Sequence, residues 1–411
     1  MSKFFDALET RTADERKSVL ATRLPQQIEH AKGNTAYFAE SLKHIDATAI
    51  TSAAALAALP VVRKSDLIEL QKQQRPFGGL SAGGWGRLGR VFSSPGPIYE
   101  PEGRSADYWR TARALYAAGF RAGDLVHNSF SYHMTPGAWI LEAGAHALGC
   151  TVFPAGVGQT EQQVAAMADL QPNGYVGTPS FLRILLEKAD ELGVKLPSLT
   201  KALVSGEAFL PPVRDALLAR RVAGYQAYAT AELGVIAYET EARQGLVIDE
   251  GVIVEIVRPG TGDPVVEGEV GEVVVTTFNA DYPLIRFGTG DLSACLPGIS
   301  PCGRTNMRIK GWMGRADQTT KVKGMFVHPE QVAAVVKRHS GIARARLVVT
   351  NPDSTDQMTL HCEVGATDRD LETAIADSVR DITKLRAEVR LVAVGSLPND
   401  GKVIEDSRKY D

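Results

Sequence analysis

The stretch at residues 174–194, GYVGTPSFLRILLEKADELGV, decides the fold of this chain. Its first four residues suit a buried strand, and the pair Thr178-Pro179 is typical of a helix start, because proline is tolerated in the first helical turn. The helix that follows has one apolar face, formed by Leu182, Leu185, Leu186 and Ala189. At 201–207, KALVSGE returns to an apolar strand and ends in a glycine loop. The stretch therefore predicts a strand–helix–strand unit.

The segments on either side repeat this alternation. Upstream, an apolar strand at 125–130 (LVHNSF) leads into a helix at 136–149 and a second strand at 150–156, and downstream a helix follows at 211–221. Strands that alternate with helices predict a parallel, doubly wound sheet, so we expect the α/β fold class. In such sheets ligands bind in the loops at the carboxyl ends of the strands. Site residues are therefore expected in those loops.

The pattern of the chain changes along its length. Residues 1–75 have the pattern of amphipathic helices, and residues 251–278 alternate apolar and polar residues around glycine turns, as an antiparallel β region does. The last residues, about 100 of them, combine helices and strands into a compact α+β pattern of domain size. We therefore predict a large N-terminal core domain at 1–314 and a small C-terminal domain at 315–411.

Composition and charge exclude several classes of protein. The chain has 411 residues, 44% of them hydrophobic and 23% charged, and a net charge of −3, so no concentrated basic surface points to nucleic acid. No apolar run suits a signal peptide or a membrane span. The four cysteines are dispersed: Cys150, Cys295, Cys302 and Cys362. We expect reduced thiols in a cytoplasmic protein. Cys295 and Cys302 could form half of a metal site, but without a second ligand pair a structural role is favoured.

Four polar loops follow apolar strands, where ligands are expected. They are SGEAF at 205–209, YQAYATAELG at 225–234, PLIRFGTGDLS at 283–293 and GRADQTTKVKG at 314–324, and Lys402 follows near the end of the chain. Each loop taken alone has a structural explanation, because turn-forming residues and surface charges are common in solvated loops. The order of the four loops and Lys402 along the chain is stronger evidence for a functional site than any one loop taken alone.

In this order the loops resemble the motifs of the adenylate-forming enzymes, the superfamily of acyl-CoA synthetases, luciferases and peptide-synthetase adenylation domains. Two longer stretches, at 151–185 and 295–332, are similar to the phenylacetate–CoA ligases in particular. The resemblance covers essentially the whole chain. It implies a carboxylic acid substrate, the cofactors ATP, Mg²⁺ and CoA, and an acyl-adenylate intermediate. It also implies that the core domain holds the ATP and acyl pocket, and that the C-terminal domain is a mobile lid.

The resemblance assigns roles in the ATP site. The family's aromatic-Gly-x-Ser/Thr-Glu motif falls on residues 228–232, so Tyr228 would stack on adenine and Glu232 would hold Mg²⁺ and support catalysis. This chain departs from the motif, since Ala231 stands where a phosphate-binding hydroxyl is usual, and Thr230 lies one place earlier. The loop that would line adenine and the acyl pocket consists of Ser205, Gly206, Glu207 and Ala208.

The remaining roles concern ribose, catalysis and CoA. Asp291 would accept hydrogen bonds from both ribose hydroxyls, and Arg315 would make the second ribose contact. Asp317 matches the hinge of the lid, and Lys402 matches the lysine whose charge would assist attack on the α-phosphate. The segment from Lys321 to Gly324 resembles the loop that lines the pantetheine tunnel.

The resemblance also points to the acid. The segment at 127–139 matches the part of the phenylacetate–CoA ligases that lines the acyl pocket, and the lining residues would be Phe130, Tyr132, His133 and Met134, together with Gly206. These side chains suit an aromatic acid such as phenylacetate, while a small hydroxylated or branched acid stays open. His133 could polarise the substrate or lie packed or on the surface.

The stretch VFSSPGPIYEPEG at 91–103 stands where the family has a Ser/Thr/Gly-rich loop that ends in lysine and wraps the ATP phosphates. It keeps Ser93, Ser94 and Gly96 as candidate contacts, but two prolines remove amide donors and the lysine is absent. We therefore expect a raised KM for ATP. Two alternatives stay open: a relative with little turnover that acts by binding, or an adenylating enzyme with an acceptor other than CoA. A homodimer is also possible.

Overall fold

The computed structural model describes residues 2–316, 318, 320–322, 325–352, 356–366 and 369–408. The expected hinge Asp317 and the expected tunnel residue Gly324 lie outside these residues. The helices are α1 Ala13–Asn34, α2 Ala36–Ser41, α3 Ala53–Leu56, α4 Leu67–Gln73, α5 Thr111–Ala117, α6 Gly137–Ala147, α7 Thr160–Leu170, α8 Pro179–Glu191, α9 Pro211–Ala219, α10 Pro329–Arg338 and α11 Arg369–Thr383. Short 3₁₀ helices span Ala7–Thr10, Ala47–Ala49 and Lys64–Asp66.

The strands alternate with these helices. They are β1 Val62–Arg63, β2 Arg90–Ser94, β3 Ile98–Glu102, β4 Leu125–Asn128, β5 Thr151–Pro154, β6 Gly174–Gly177, β7 Lys201–Val204, β8 Ala223–Thr230, β9 Gly234–Glu239, β10 Leu246–Ile248, β11 Val252–Val257, β12 Gly271–Thr277, β13 Phe287–Ser293, β14 Cys295–Leu296, β15 Arg308–Ile309, β16 Thr320–Val322, β17 Met325–Val327, β18 Ile342–Thr350, β19 Gln357–Val364, β20 Glu388–Ala393 and β21 Ile404–Asp406.

The stretch that predicted the fold behaves as expected. Strand β6 is buried, and helix α8 begins at Pro179, where the Thr178 side chain accepts a hydrogen bond from the backbone N–H of Phe181. This is a helix cap of the usual kind, because it satisfies a backbone donor that has no partner within the helix. The four residues of the predicted apolar face, Leu182, Leu185, Leu186 and Ala189, are all buried.

The main sheet has nine strands in the order β14-β15-β10-β9-β8-β7-β6-β4-β5. Strands β8, β7, β6, β4 and β5 run parallel, and β8 turns back antiparallel into β9. The α/β class predicted from the sequence is therefore confirmed. Because β4, β6, β7 and β8 are parallel neighbours, the loops after them meet at one edge of the sheet.

Contacts divide the chain into two compact units. The first unit comprises 1–254, 275–287 and 296–312, and the second comprises 255–274, 288–295 and 313–411. The second unit contains a four-stranded sheet in the order β20-β19-β18-β21, and α10 and α11 contribute to its core with buried Val332, Val335, Ile375 and Val379. The domain boundary at residue 314 stays a prediction.

Buried ion pairs fasten the N-terminal segment within the first unit. The Glu9 carboxylate accepts hydrogen bonds from Arg304 Nε (2.6 Å) and from the Tyr238 hydroxyl (2.8 Å). Arg113 bridges Asp6 (2.6 Å) and the buried Asp249 (2.7 Å). Within the described part of the chain, no helix combines the length and apolar character that a membrane crossing requires.

Candidate active site

The stretch expected at the phosphate loop forms a β-hairpin. Strands β2 and β3 pair antiparallel, with Ser94 opposite Ile98, and Pro95, Gly96 and Pro97 form the turn between them. Since proline has no backbone N–H, the three turn residues offer a single amide donor, that of Gly96. The hairpin is thus poor in the backbone donors that usually hold phosphate groups.

The two serines of the hairpin have different surroundings. Ser94 is buried, and its hydroxyl donates a hydrogen bond to the Glu100 carboxyl group on the opposite strand. Ser93 is half-buried, and its backbone N–H donates to the carbonyl oxygen of Met134 at 2.9 Å. The structure therefore gives the Ser94 hydroxyl a partner within the hairpin. Contacts of Ser93, Ser94 and Gly96 with ATP stay predictions.

Replacing Ser94 by alanine is expected to lower the free energy of unfolding by about 1–3 kcal/mol, since the buried Glu100 carboxyl group loses its hydrogen-bond donor. Urea unfolding of the purified chain measures this change. Ser93→Ala is the matched control, because it removes the neighbouring hydroxyl and leaves the hydrogen bond between Ser94 and Glu100 in place. Equal stability of the two variants would contradict the prediction.

An acidic cluster lies beside the hairpin in the first unit, and we define it as Glu100, Glu232 and Tyr282 with Lys64. Glu232 follows β8, and its Oε1 lies 2.8 Å from the Lys64 ammonium group. The pKa of Glu100 is raised to about 8, chiefly by burial and also by the charge of Glu232, while Ser94 and Lys64 act in the opposite direction. Burial likewise raises the pKa of Tyr282 well above its usual value, and both carboxyl groups add to that effect. Sequence reasoning found Glu232 and missed the other three.

Glu232, the predicted Mg²⁺ ligand, fits that role. Both of its carboxylate oxygens are buried. Oε1 lies 2.8 Å from the Lys64 ammonium group, and Oε2 accepts no hydrogen bond from the described residues. Carboxylate oxygen is a preferred Mg²⁺ ligand, and one or two carboxylates commonly suffice when substrate phosphates complete the coordination. No group of three or more His, Cys, Asp or Glu side chains among the described residues could hold a metal on its own.

The loop after β7 carries the residues expected to line adenine and the acyl pocket. The buried Ser205 donates a hydrogen bond from its hydroxyl to the carbonyl oxygen of Ala227 at 2.8 Å. Glu207 is exposed and accepts a hydrogen bond from the Ser180 hydroxyl at 2.9 Å, and Ala208 is exposed. Through this hydrogen bond Ser205 links the loop to β8. The same strand carries Tyr228, the residue expected to stack on adenine.

Tyr228 and Thr230 lie at the carboxyl end of β8, one strand away from that loop. Tyr228 is largely buried, and the register of the β8–β9 pair shifts between Tyr228 and Ala229. The Thr230 hydroxyl accepts a hydrogen bond from the backbone N–H of Leu233 at 3.3 Å, which supports the turn that carries Glu232. The structure therefore brings the predicted adenine and Mg²⁺ residues to one edge of the sheet.

The predicted acyl residue Phe130 follows β4, and it lies against the loop after β7. A side-chain carbon placed on Gly206 would lie 3.4 Å from the Phe130 ring and 3.7 Å from the Thr178 methyl group. Gly206 has φ = +81°, a conformation that favours glycine. Phe130, Thr178 and Gly206 thus come from three neighbouring parallel strands to one place.

The other three predicted acyl residues have different partners. The Tyr132 hydroxyl donates to Glu142 (2.6 Å) and accepts from Asn128 Nδ2 (2.9 Å). His133 and Met134 are exposed. Their part in acid binding stays a prediction, and Phe130 is better placed for that role because it contacts the predicted site residue Gly206.

The expected ribose residues lie in the second unit and contact each other. Arg315 Nη1 donates to Asp291 Oδ1 at 2.9 Å, and the backbones of the two residues form an isolated β-bridge. The Thr289 hydroxyl accepts from the Asp291 backbone N–H at 3.1 Å and donates to the carbonyl oxygen of Val273 at 2.9 Å, which fixes the strand that presents Asp291. Asp291 and Arg315 are thus held as a pair, and their contacts with ribose stay predictions.

Lys402, the expected catalytic lysine, also belongs to the second unit. It is exposed, and it lines a cavity of about 450 Å³ that also involves Lys337 and Arg344. Gln318 holds its loop: the side-chain amide donates to the carbonyl oxygen of Gly401 at 3.1 Å, and its oxygen accepts from the backbone N–H groups of Val403 and Ile404. Sequence reasoning missed Gln318, although it follows the expected hinge directly. Lys321 lies in β16, and its role in binding CoA stays a prediction.

Comparisons with known proteins identify the family of the chain. The sequence model of the AMP-binding enzyme family matches residues 107–279, and that of the AMP-binding enzyme C-terminal domain matches residues 324–408. Phenylacetate-coenzyme A ligase of Aromatoleum evansii is 30% identical over 379 residues, which cover 87% of this chain and 84% of that protein. Its counterpart from Thermus thermophilus is 30% identical over 375 residues, 87% of this chain and 83% of that protein.

Among solved structures, an open conformation of 2-hydroxyisobutyryl-CoA ligase, in complex with 2-HIB-AMP and CoA, has a TM-score of 0.73 and 27% identity. The match covers 97% of this chain and 92% of that one. The resemblance read from the motifs is therefore confirmed: the chain belongs to the AMP-binding enzyme family of adenylate-forming enzymes and is a relative of the phenylacetate–CoA ligases.

Proposed function

We propose that this chain makes the CoA thioester of a compact aromatic acid. As a member of its family it is an ATP-dependent carboxylate–CoA ligase that works through an acyl-adenylate. The observation that carries the choice of acid is that a side-chain carbon placed on Gly206 would lie 3.4 Å from the Phe130 ring, so glycine leaves this part of the ring uncovered. An aromatic wall beside such a gap favours a flat ring.

In the proposed reaction the acid's carboxylate attacks the α-phosphate of ATP, forms the acyl-adenylate and releases pyrophosphate. The CoA thiol then attacks the acyl carbon, and AMP leaves. Lys402 would offset the charge that develops on the phosphate, while Asp291 and Arg315 would hold the ribose and Tyr228 would stack on adenine. Glu232 would hold Mg²⁺, which neutralises phosphate charge when it is bound.

Several finer assignments belong to the same proposal. Asp317 would be the hinge of the C-terminal domain, and the segment from Lys321 to Gly324 would line the path of CoA. The loop formed by Ser205, Gly206, Glu207 and Ala208 would border adenine and acid. The cytoplasmic location and the homodimer expected from the sequence stay predictions, as does the raised KM for ATP.

A second candidate is a small hydroxylated acid. It is favoured by the match to 2-hydroxyisobutyryl-CoA ligase, which reaches a TM-score of 0.73 at 27% identity. A small acid would leave the ring of Phe130 without a flat partner, whereas an aromatic acid would cover it. The two candidates therefore differ in how strongly turnover depends on Phe130.

The test is acid-dependent ATP–pyrophosphate exchange with a panel of aromatic, hydroxylated and branched acids, followed by thioester formation on addition of CoA. We expect exchange and thioester with phenylacetate or a close aromatic relative. The absence of exchange with every acid would favour the alternative of a binding protein with little turnover. Exchange without a thioester would favour an acceptor other than CoA.

Replacing Phe130 by alanine is expected to raise the KM for the aromatic acid by about 10- to 100-fold, since burying a phenylalanine side chain is worth about 1.5–3 kcal/mol. Steady-state kinetics at saturating ATP measure this effect. Tyr132→Phe is the comparison variant, because the Tyr132 hydroxyl is already bonded to Glu142 and Asn128. An unchanged acid KM in Phe130→Ala, together with a preference for small acids, would favour the second candidate.

A further inference from the structure

The acidic cluster contains three buried groups that each have at least one polar atom without a partner among the described residues. Glu100, Glu232 and Tyr282 are 0%, 4% and 2% exposed. Glu100 Oε2, Glu232 Oε2 and the Tyr282 hydroxyl have no hydrogen-bond partner among the described residues, and Glu232 Oε1 has the Lys64 ammonium group as its partner. Buried polar atoms are nearly always hydrogen-bonded, so a group of orphaned atoms indicates that a ligand, ion or water belongs there.

The orphaned atoms belong to one place in the first unit. Glu100 interacts electrostatically with Glu232 and with Lys64, and Tyr282 interacts with both carboxyl groups. Two carboxyl groups brought together out of water repel each other once both are ionised, and the cluster as defined contains one cationic side chain, Lys64, for its two acids. The cluster is therefore short of positive charge.

We propose that Glu100 is a second carboxylate ligand of the Mg²⁺ ion that Glu232 holds. The proposal concerns the metal of the ligase site and in that sense rests on the proposed function. Two carboxylates with phosphate oxygens and water form a coordination set that Mg²⁺ commonly adopts. The Lys64 ammonium group lies 2.8 Å from Glu232 Oε1, so the cluster already binds one positive charge at this carboxylate.

The hairpin explains why this chain would place a second acid there. The turn of Pro95, Gly96 and Pro97 has few amide donors for the phosphates of ATP. The strand that follows it carries Glu100, which Ser94 orients through a hydrogen bond to Oε1, so that Oε2 is the atom left for a metal. A more strongly held metal would bind the phosphates in place of the absent backbone donors.

The experiment measures metal binding directly, with Mn²⁺ as the probe. Free Mn²⁺ is followed by electron paramagnetic resonance while the full chain is titrated, first with the metal alone and then with α,β-methylene-ATP. We expect Glu100→Gln to weaken Mn²⁺ binding by about tenfold or more, as loss of a ligand charge should. Lys64→Met should bind the metal alone at least as tightly as the unchanged chain, because a competing cation is gone.

The matched control is Glu102→Gln, which lies on the same strand but faces Arg90 (2.8 Å) and the Trp109 indole (2.9 Å). It should bind Mn²⁺ as the unchanged chain does. Thermal unfolding checks that Glu100→Gln is folded, and Glu100→Asp, which keeps the charge, should recover part of the affinity. Mn²⁺ affinity within twofold of the unchanged chain in Glu100→Gln, with a clear loss in Glu232→Gln, would overturn the proposal. Because the readout is binding, it is independent of whether any acid supports exchange.

Discussion

Replacing Lys402 by alanine is expected to lower the rate of acid-dependent ATP–pyrophosphate exchange by about 10²- to 10³-fold, the size of effect seen when one electrostatic stabiliser of a transition state is removed. The reason is that attack on the α-phosphate concentrates negative charge, which an ammonium group placed beside it offsets. Lys402 is exposed, and its loop is fixed by Gln318, so the side chain is free to reach a substrate from an ordered backbone.

A second measurement separates this role from a loss of folding. Thioester formation from a supplied acyl-adenylate and CoA should be nearly unchanged in Lys402→Ala, because that step doesn't involve attack on ATP. Lys337→Ala is the matched control, since it removes another lysine from the same cavity. Equal exchange rates in the two variants would contradict the assignment of Lys402.

Replacing Asp291 by alanine is expected to lower kcat/KM for ATP by about 10²- to 10⁴-fold, because two hydrogen bonds to a charged group, each worth about 1.5–3 kcal/mol, would be lost. Pairing with Arg315 at 2.9 Å orients this carboxylate, which in the proposed function would accept hydrogen bonds from both ribose hydroxyls. Initial rates at varied ATP and saturating acid measure this loss. The kcat/KM for ATP of Asp291→Asn should lie between that of Asp291→Ala and that of the unchanged chain.

The control for Asp291 is Asp263→Ala, which removes an exposed acid from the same unit. Its KM for ATP should match that of the unchanged chain. A KM for ATP that stays within twofold in Asp291→Ala would show that this carboxylate doesn't hold the ribose.

The fold could be predicted from the sequence where the pattern is local. Helix α8 begins at Pro179 and buries the predicted face, because capping, proline placement and helical spacing all act within a few residues. The parallel order of β4, β6, β7 and β8 follows from the alternation of strands and helices. Motif resemblance then singled out Glu232, Asp291, Arg315 and Lys402. Glu232 follows β8, but the expectation of a loop was wrong for Asp291, which lies within β13 because its segment pairs into a sheet.

The acidic cluster couldn't be predicted in this way, because its members are distant in sequence. Lys64, Glu100, Glu232 and Tyr282 meet only through the folding of separate elements. One signal was available: Ile98, Glu100 and Glu102 occupy alternate positions of a strand, and Ile98 is buried. Since alternate residues of a strand share a face, two acids beside a buried isoleucine indicate inward-facing charge.

The hydrogen bonds of Gln318 to Gly401, Val403 and Ile404 have a mechanical consequence. They join the residue that follows the expected hinge to the backbone on both sides of Lys402. If the chain turns at residue 317, Gln318 and the loop of Lys402 would move together as one rigid piece. The Lys402 ammonium group would then change position while the conformation of its own loop stays the same. A small backbone rotation at residue 317 would thus move the positive charge of Lys402 over a large distance.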